Sequence, residues 1–189
     1  MRKNNNRKGF TMVELLVSMF IFSLIMGGIV NALFMSVSLQ QRVIENQRKI
    51  SEVSFLLEYM SRTLRMARKD IAGQCITINH NYHKPDPNTI RFLNFDGECQ
   101  EFSLINNSVN ERIANSGNSA DLPVFTPITS QNISVTRMEL GDAGSAWHPL
   151  STNNNQSRVV ILLEVKPRGA DYSTRFQTVI SQRKLNLPH

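Results

Sequence analysis

Glu14 is the only ionisable residue between Phe10 and Leu39. A carboxylate in the apolar part of a membrane helix costs about 2.5 kcal/mol or more, and such residues are usually functional. The chemistry open to it is charge pairing. If the chain is cut after Gly9, Phe10 carries a free ammonium one helical turn ahead of Glu14. Within one chain the two groups are poorly placed to satisfy each other. Between neighbouring helices staggered along an axis, the ammonium of one meets the carboxylate of the next. Loss of either partner strands the other in apolar surroundings at roughly 3–5 kcal/mol. Glu14 then acts as a register pin, like a lone polar residue in a coiled-coil seam.

Other residue types that could do chemistry form no reactive set. Cys75 and Cys99 suit a structural pair better than nucleophiles; joined, they close a loop of about 25 residues and stabilise the fold by ~3 kcal/mol on loop entropy. His80 and His83 stand three apart near Asp86 without a Cys or Glu ligand set, so no metal site is expected. Asp86, Asp96, Asp121, Asp142 and Asp171 fall in turn-rich stretches, where aspartate is common for backbone reasons. No serine nucleophile motif or glycine-rich phosphate loop appears, so neither an enzyme nor a cofactor is expected.

The elements that must position Glu14 lie at the front. Residues 1–9 hold Arg2, Lys3, Arg7 and Lys8, and residues 10–39 are apolar. Removing the four leader cations lowers the net charge from +6 to +2, which does not call for nucleic acid as a partner. Cations beside an apolar segment hold that end in the cytoplasm. The chain after residue 39 is then outside, where a Cys75–Cys99 disulfide can form.

Three readings of the apolar run compete. A plain anchor fits, because thirty residues reach about 45 Å against a hydrocarbon core of ~30 Å. A disposable secretory signal, cleaved near Ser36-Val37-Ser38, would have an apolar region of about 7 to 15 residues, half of what is present. The third is a signal cut on the cytoplasmic side, before the apolar stretch. Glu14 favours the third, since an anchor or a discarded signal gains nothing from it.

The run Arg7-Lys8-Gly9-Phe10-Thr11-Met12-Val13-Glu14-Leu15-Leu16-Val17 resembles the processing site of type IV prepilins and type II secretion pseudopilins. The resemblance covers about the first fifth of the chain. It implies a prepilin peptidase that cuts after Gly9 and N-methylates Phe10, with Glu14 as the acidic fifth residue of the mature chain. It also implies partners: other pilins or pseudopilins, an inner-membrane assembly platform, and membrane lipid before assembly. Many major pilins carry a proline within this helix, and this segment has none. Gly27-Gly28 stand there instead, and either allow bending or let neighbouring helices approach closely.

Beyond the membrane, residues 43–71 lack proline and glycine. Apolar residues recur at Val43, Ile50, Val53, Leu57, Met60, Leu64, Ala67 and Ile71, the stripe of an amphipathic helix. Phe55, Leu56 and Tyr59 widen it, and Gly73 is expected to end it, with Arg65, Arg68 and Lys69 in the last turns. The remaining chain alternates as strands do, over 75–79, 89–94, 99–105, 133–140, 159–166 and 175–182. Turn-rich stretches separate them at 80–88, 106–122 and 141–157.

The expected fold is α+β: a long N-terminal helix, half membrane-embedded and half amphipathic, packed on an antiparallel β-sheet. Its parts are a leader (1–9), a membrane and filament-core helix (10–39), its amphipathic continuation (40–72) and a β-rich extracytoplasmic domain (73–189).

Residues 57–67 look like the end of the long helix in J-type minor pseudopilins and W-type minor pilins, and 176–183 like their final strand. That likeness implies a minor subunit in a filament-tip complex that primes assembly. The alternative is a tip-located adhesin or DNA-uptake subunit. Arg62, Arg65, Arg68 and Lys69 could touch nucleic acid, but a solvated face with dipole-matching charges explains them as well.

Overall fold

A computed structural model describes residues 9–144, 146–147, 157–167 and 172–183, with backbone alone at 49, 143, 144 and 167. The chain divides into two compact units, Met1–Gln47 and Arg48–His189. One helix, α1 (Met12–Arg65), supplies most of the described part of the first unit and continues into the second.

In the first unit α1 is exposed on every side and is mainly apolar as far as Leu39. It contains one stretch long and apolar enough to cross a membrane, none of it buried in the chain itself. Its serines suit such surroundings. Ser18 Oγ donates to the Glu14 carbonyl at 2.6 Å, Ser23 Oγ to Met19 at 2.9 Å and Ser38 Oγ to Met35 at 2.9 Å. These three hydroxyls are satisfied by their own helix, as a medium without water demands.

The described residues of the second unit form eight strands: β1 (Tyr82–His83), β2 (Thr89–Leu93), β3 (Cys99–Ile105), β4 (Ser108–Ala114), β5 (Thr126–Pro127), β6 (Ile133–Gly144), β7 (Arg158–Pro167) and β8 (Thr174–Ser181). They form two antiparallel sheets, β1-β2-β3-β4-β5 and β6-β7-β8. The expected α+β fold is therefore observed, with two sheets rather than one. Val53, Met60 and Leu64 of α1 share one buried cluster with Tyr82, Phe92 and Phe102 of the first sheet and Met138, Ile161 and Ile180 of the second. Phe102 is central to it, its ring 5.7 Å from Phe92 and 6.0 Å from Tyr59.

Several expectations need correction. The helical stripe buries Leu56 with Val53, Met60, Leu64 and Ala67, whereas Val43, Ile50, Phe55 and Ile71 are exposed. Only the part of the stripe that faces the sheets is covered. The helix stops at Arg65, short of Gly73, because tertiary partners take its last carbonyls. Tyr82 Oη donates to Leu64 at 2.7 Å, the Arg183 N–H to Arg65 at 2.8 Å and Gln182 Nε2 to Ala67 at 2.9 Å. The chain then leaves sideways, the Arg68 N–H reaching the Leu93 carbonyl at 2.8 Å.

Residues 75–79, expected as a strand, form an irregular loop. The buried Asp70 carboxylate there accepts the N–H groups of Gly73, Cys75 and Ile76 at 2.7, 2.9 and 2.9 Å, so those amides are unavailable to a ladder. Two strands, β1 and β4, lie inside stretches expected as turns, and β5 lies in a part of the chain for which no element was expected. The signal for β4 is Asn106-Asn107, both left-handed at φ 52° and 60°. Two consecutive left-handed residues make the two-residue hairpin turn whose twist suits antiparallel strands, and asparagine tolerates that conformation. They bring Ser108 opposite Ile105.

Candidate functional site

The scissile bond proposed from the sequence, Gly9–Phe10, lies in non-helical backbone directly before α1, and both residues are exposed. Thr11 is next, and it forms a reciprocal cap with Glu14. The Thr11 N–H and Oγ donate to Glu14 Oε2 at 3.1 and 3.0 Å, and the Glu14 N–H donates to Thr11 Oγ at 3.3 Å. This is the Thr-x-x-Glu capping box, in which two otherwise unpaired donors at a helix start are satisfied. The Thr11-Met12-Val13-Glu14 spacing that carries it is legible in the sequence.

Glu14 therefore has a role inside the chain, at the helix start, besides any role between chains. Only Oε2 makes these bonds; Oε1 is left for another donor. Gly27 and Gly28 sit within the regular helix, and a Cβ on either would meet nothing within 4 Å. Their smallness thus answers to nothing inside this chain.

Residues 4–30 match the family model described as the prokaryotic N-terminal methylation motif. The match takes in Gly9, Phe10, Glu14, Gly27 and Gly28. It supports a type IV pilin-like structural subunit, and it implies processing by a prepilin peptidase and assembly with other pilins. No curated protein and no solved structure matches the chain.

In the β-rich unit of this pilin-like chain, Cys75 and Cys99 are joined, with Cα atoms 5.3 Å apart. The bond ties the loop after α1 to the start of β3 and forms, with Ile76 and Ala114, a second small core. Replacing both cysteines with serine should cost about 2–4 kcal/mol in a urea melt of the oxidised chain. An unchanged midpoint would show that the Asp70 contacts hold the loop alone.

The remaining candidates take structural places. His80 Nδ1 lies 3.0 Å from the Ile78 carbonyl. His83 sits in β1, where burial lowers its pKa, with Arg91 adding to the effect. Among the described residues no group of three or more His, Cys, Asp or Glu side chains could hold a metal ion. Arg68 lies over the Phe95 ring at 6.0 Å and donates to the Phe95 carbonyl at 3.2 Å. Of the turn-rich stretch 141–157, residues 145 and 148–156 lie outside the described residues, as do Asp171 and residues 1–8 of the leader.

Sequence reasoning missed the most buried charge in the sheets. Glu101 is 2% exposed on β3 and pairs with Arg91 on β2 at 2.6 Å and Arg112 on β4 at 3.1 Å. These three residues stand opposite one another in register, and Arg112 also covers the Phe125 ring at 4.2 Å. Tyr59 adds a link from α1, donating to Glu111 at 2.6 Å; burial, and then the Glu111 carboxylate, push its pKa up. The Tyr59–Glu111 bond ties the helix to the sheet, and the Glu101 pairs tie β2, β3 and β4 to one another.

Proposed function

We propose that this chain is a minor pilin or pseudopilin, incorporated at or near the tip of a type IV pilus-like or type II secretion filament and priming its assembly. One observation carries the proposal. A basic leader and an exposed Gly9–Phe10 bond stand directly before a helix whose apolar half is exposed, covered by none of the described residues. Such a helix needs lipid before assembly and other helices after it.

In this account the leader stays in the cytoplasm, the helix is stored across the inner membrane, and the β-rich domain lies outside. Cleavage after Gly9 frees the Phe10 amine, which is methylated. That amine then pairs with Glu14 of a neighbour, so processing turns a membrane-stored subunit into one competent for the filament. The tip position is supported by the resemblance of residues 57–67 and 176–183 to minor subunits.

Mass spectrometry of the chain from filament-producing cells should find a mature N-terminus at a methylated Phe10. A chain beginning at Met1 or near Leu39 would refute the processing. Gold-labelled antibody against the β-rich domain should mark one filament end, and label along the whole length would refute the tip position.

A further inference from the structure

Glu52 stands on the part of α1 that belongs to the β-rich unit. Its Oε1 accepts a bond from Asn132 Nδ2 at 3.3 Å. Its Oε2 is buried and finds no hydrogen-bond partner among the described residues. An unpaired carboxylate oxygen out of water is costly, and natural chains seldom keep one without use.

That residue lines a cleft of about 630 Å³ between α1 and the segment joining β5 to β6. The cleft is built rather than incidental. Its far wall is fastened by the Ile128 N–H to the Val109 carbonyl at 2.9 Å and by Thr129 Oγ accepting the Val109 N–H at 2.8 Å. Phe55, Leu56, Ile128 and Ile133 supply apolar lining, and Phe55 is 73% exposed. The wall residues 127–133 carry no charge, so among the described residues the one cation in the lining is Arg48, a helical turn before Glu52. The two make no ion pair. A cation preceding its carboxylate is also the weaker order for such a pair on a helix.

An apolar slot with an unpaired carboxylate fits a lysine or arginine side chain, whose methylene stem lies on apolar surface while the charged head reaches an anion. We infer that this cleft receives a basic side chain from a different subunit of the filament, with Glu52 as its counter-ion. The inference rests on the chain being a filament subunit. It adds a second inter-subunit charge contact, outside the apolar helix.

The test is Glu52→Gln in the full-length chain, expressed in cells that assemble the filament, with Glu14→Ala and Arg48→Gln beside it. Glu52→Gln should leave the melting temperature of the detergent-purified chain unchanged or higher, because no partner in the chain is lost. It should lower recovery of the chain in sheared filaments about tenfold or more, and Glu52→Asp should restore part of that recovery.

Wild-type incorporation of Glu52→Gln while Glu14→Ala is excluded would overturn this contact alone. Wild-type incorporation of Glu14→Ala would overturn the filament reading beneath it. Equal falls in melting temperature for Glu52→Gln and Arg48→Gln would show an ion pair within the chain, and overturn the inference. So would a dimer of the purified chain that Glu52→Gln dissolves, since the cation would then come from a second copy.

Discussion

Replacing Glu14 with glutamine should reduce incorporation into filaments roughly a hundredfold while leaving membrane insertion and leader removal intact. The choice of glutamine matters, because Glu14 makes two kinds of contact. It caps its own helix through Thr11, and in the proposed assembly it offers a charge to the Phe10 amine of a neighbour. Glutamine preserves a capping box but removes the charge. An amine left unpaired among apolar helices costs roughly 3–5 kcal/mol, and each 1.4 kcal/mol is about a tenfold change.

Thr11→Ala does the opposite. It removes the cap, at about 1 kcal/mol, and keeps the charge. If charge pairing drives assembly, Glu14→Gln should fail about as badly as Glu14→Ala, and Thr11→Ala should be mild. Filament recovery by quantitative immunoblot, with cleavage scored on the same samples, gives the answer. Normal assembly of Glu14→Gln with failure of Thr11→Ala would make helix capping the reason for the carboxylate.

The largest stability effect is expected at Asp70. It is 3% exposed, and its two carboxylate oxygens accept three backbone N–H groups in the loop that follows the helix. Its own N–H donates to the His80 carbonyl at 3.0 Å, and its carbonyl accepts from Asn79 at 2.7 Å. Few residues in the chain organise so much local backbone. Hydrogen bonds to a charged acceptor contribute about 1.5–3 kcal/mol each, and buried donors left unpaired add a desolvation cost.

Partial relaxation and water entry will recover some of this, so Asp70→Ala should cost about 3–5 kcal/mol. For a domain of this size that is a drop of roughly 10 °C or more in melting temperature. Asp70→Asn, with one acceptor oxygen instead of two, should fall between. A melt of Asp70→Ala within about 1 °C of the parent would mean that the disulfide and the neighbouring strands suffice.

The N-terminal features were legible in the sequence because they depend on one-dimensional pattern. Basic residues, Gly9-Phe10 and an apolar run with one carboxylate make a motif that is recognisable without a fold. Strands β2, β3, β6, β7 and β8 were legible for a similar reason, since alternation in a half-buried sheet is a local signal. β4 was hidden because its sequence, Ser-Val-Asn-Glu-Arg-Ile-Ala, is too polar to alternate clearly. Its Glu111 and Arg112 are affordable there only because Tyr59, Gln100 and Glu101 meet them across elements.

Local pattern determined the kind of helix and the place of Glu14, but not where the helix ends or which of its residues are covered. Periodicity runs on to Ile71, yet Tyr82 and Arg183 take the Leu64 and Arg65 carbonyls, Gln182 takes that of Ala67 just beyond, and the helix ends at Arg65. The partners are 115 residues away in the case of Gln182 and Ala67. Contacts at that separation leave no mark on helical spacing. They arise only once the sheets have brought the strand ends to the helix, which is why the N-terminal motif and the long apolar helix were legible in the sequence and the end of the helix was not.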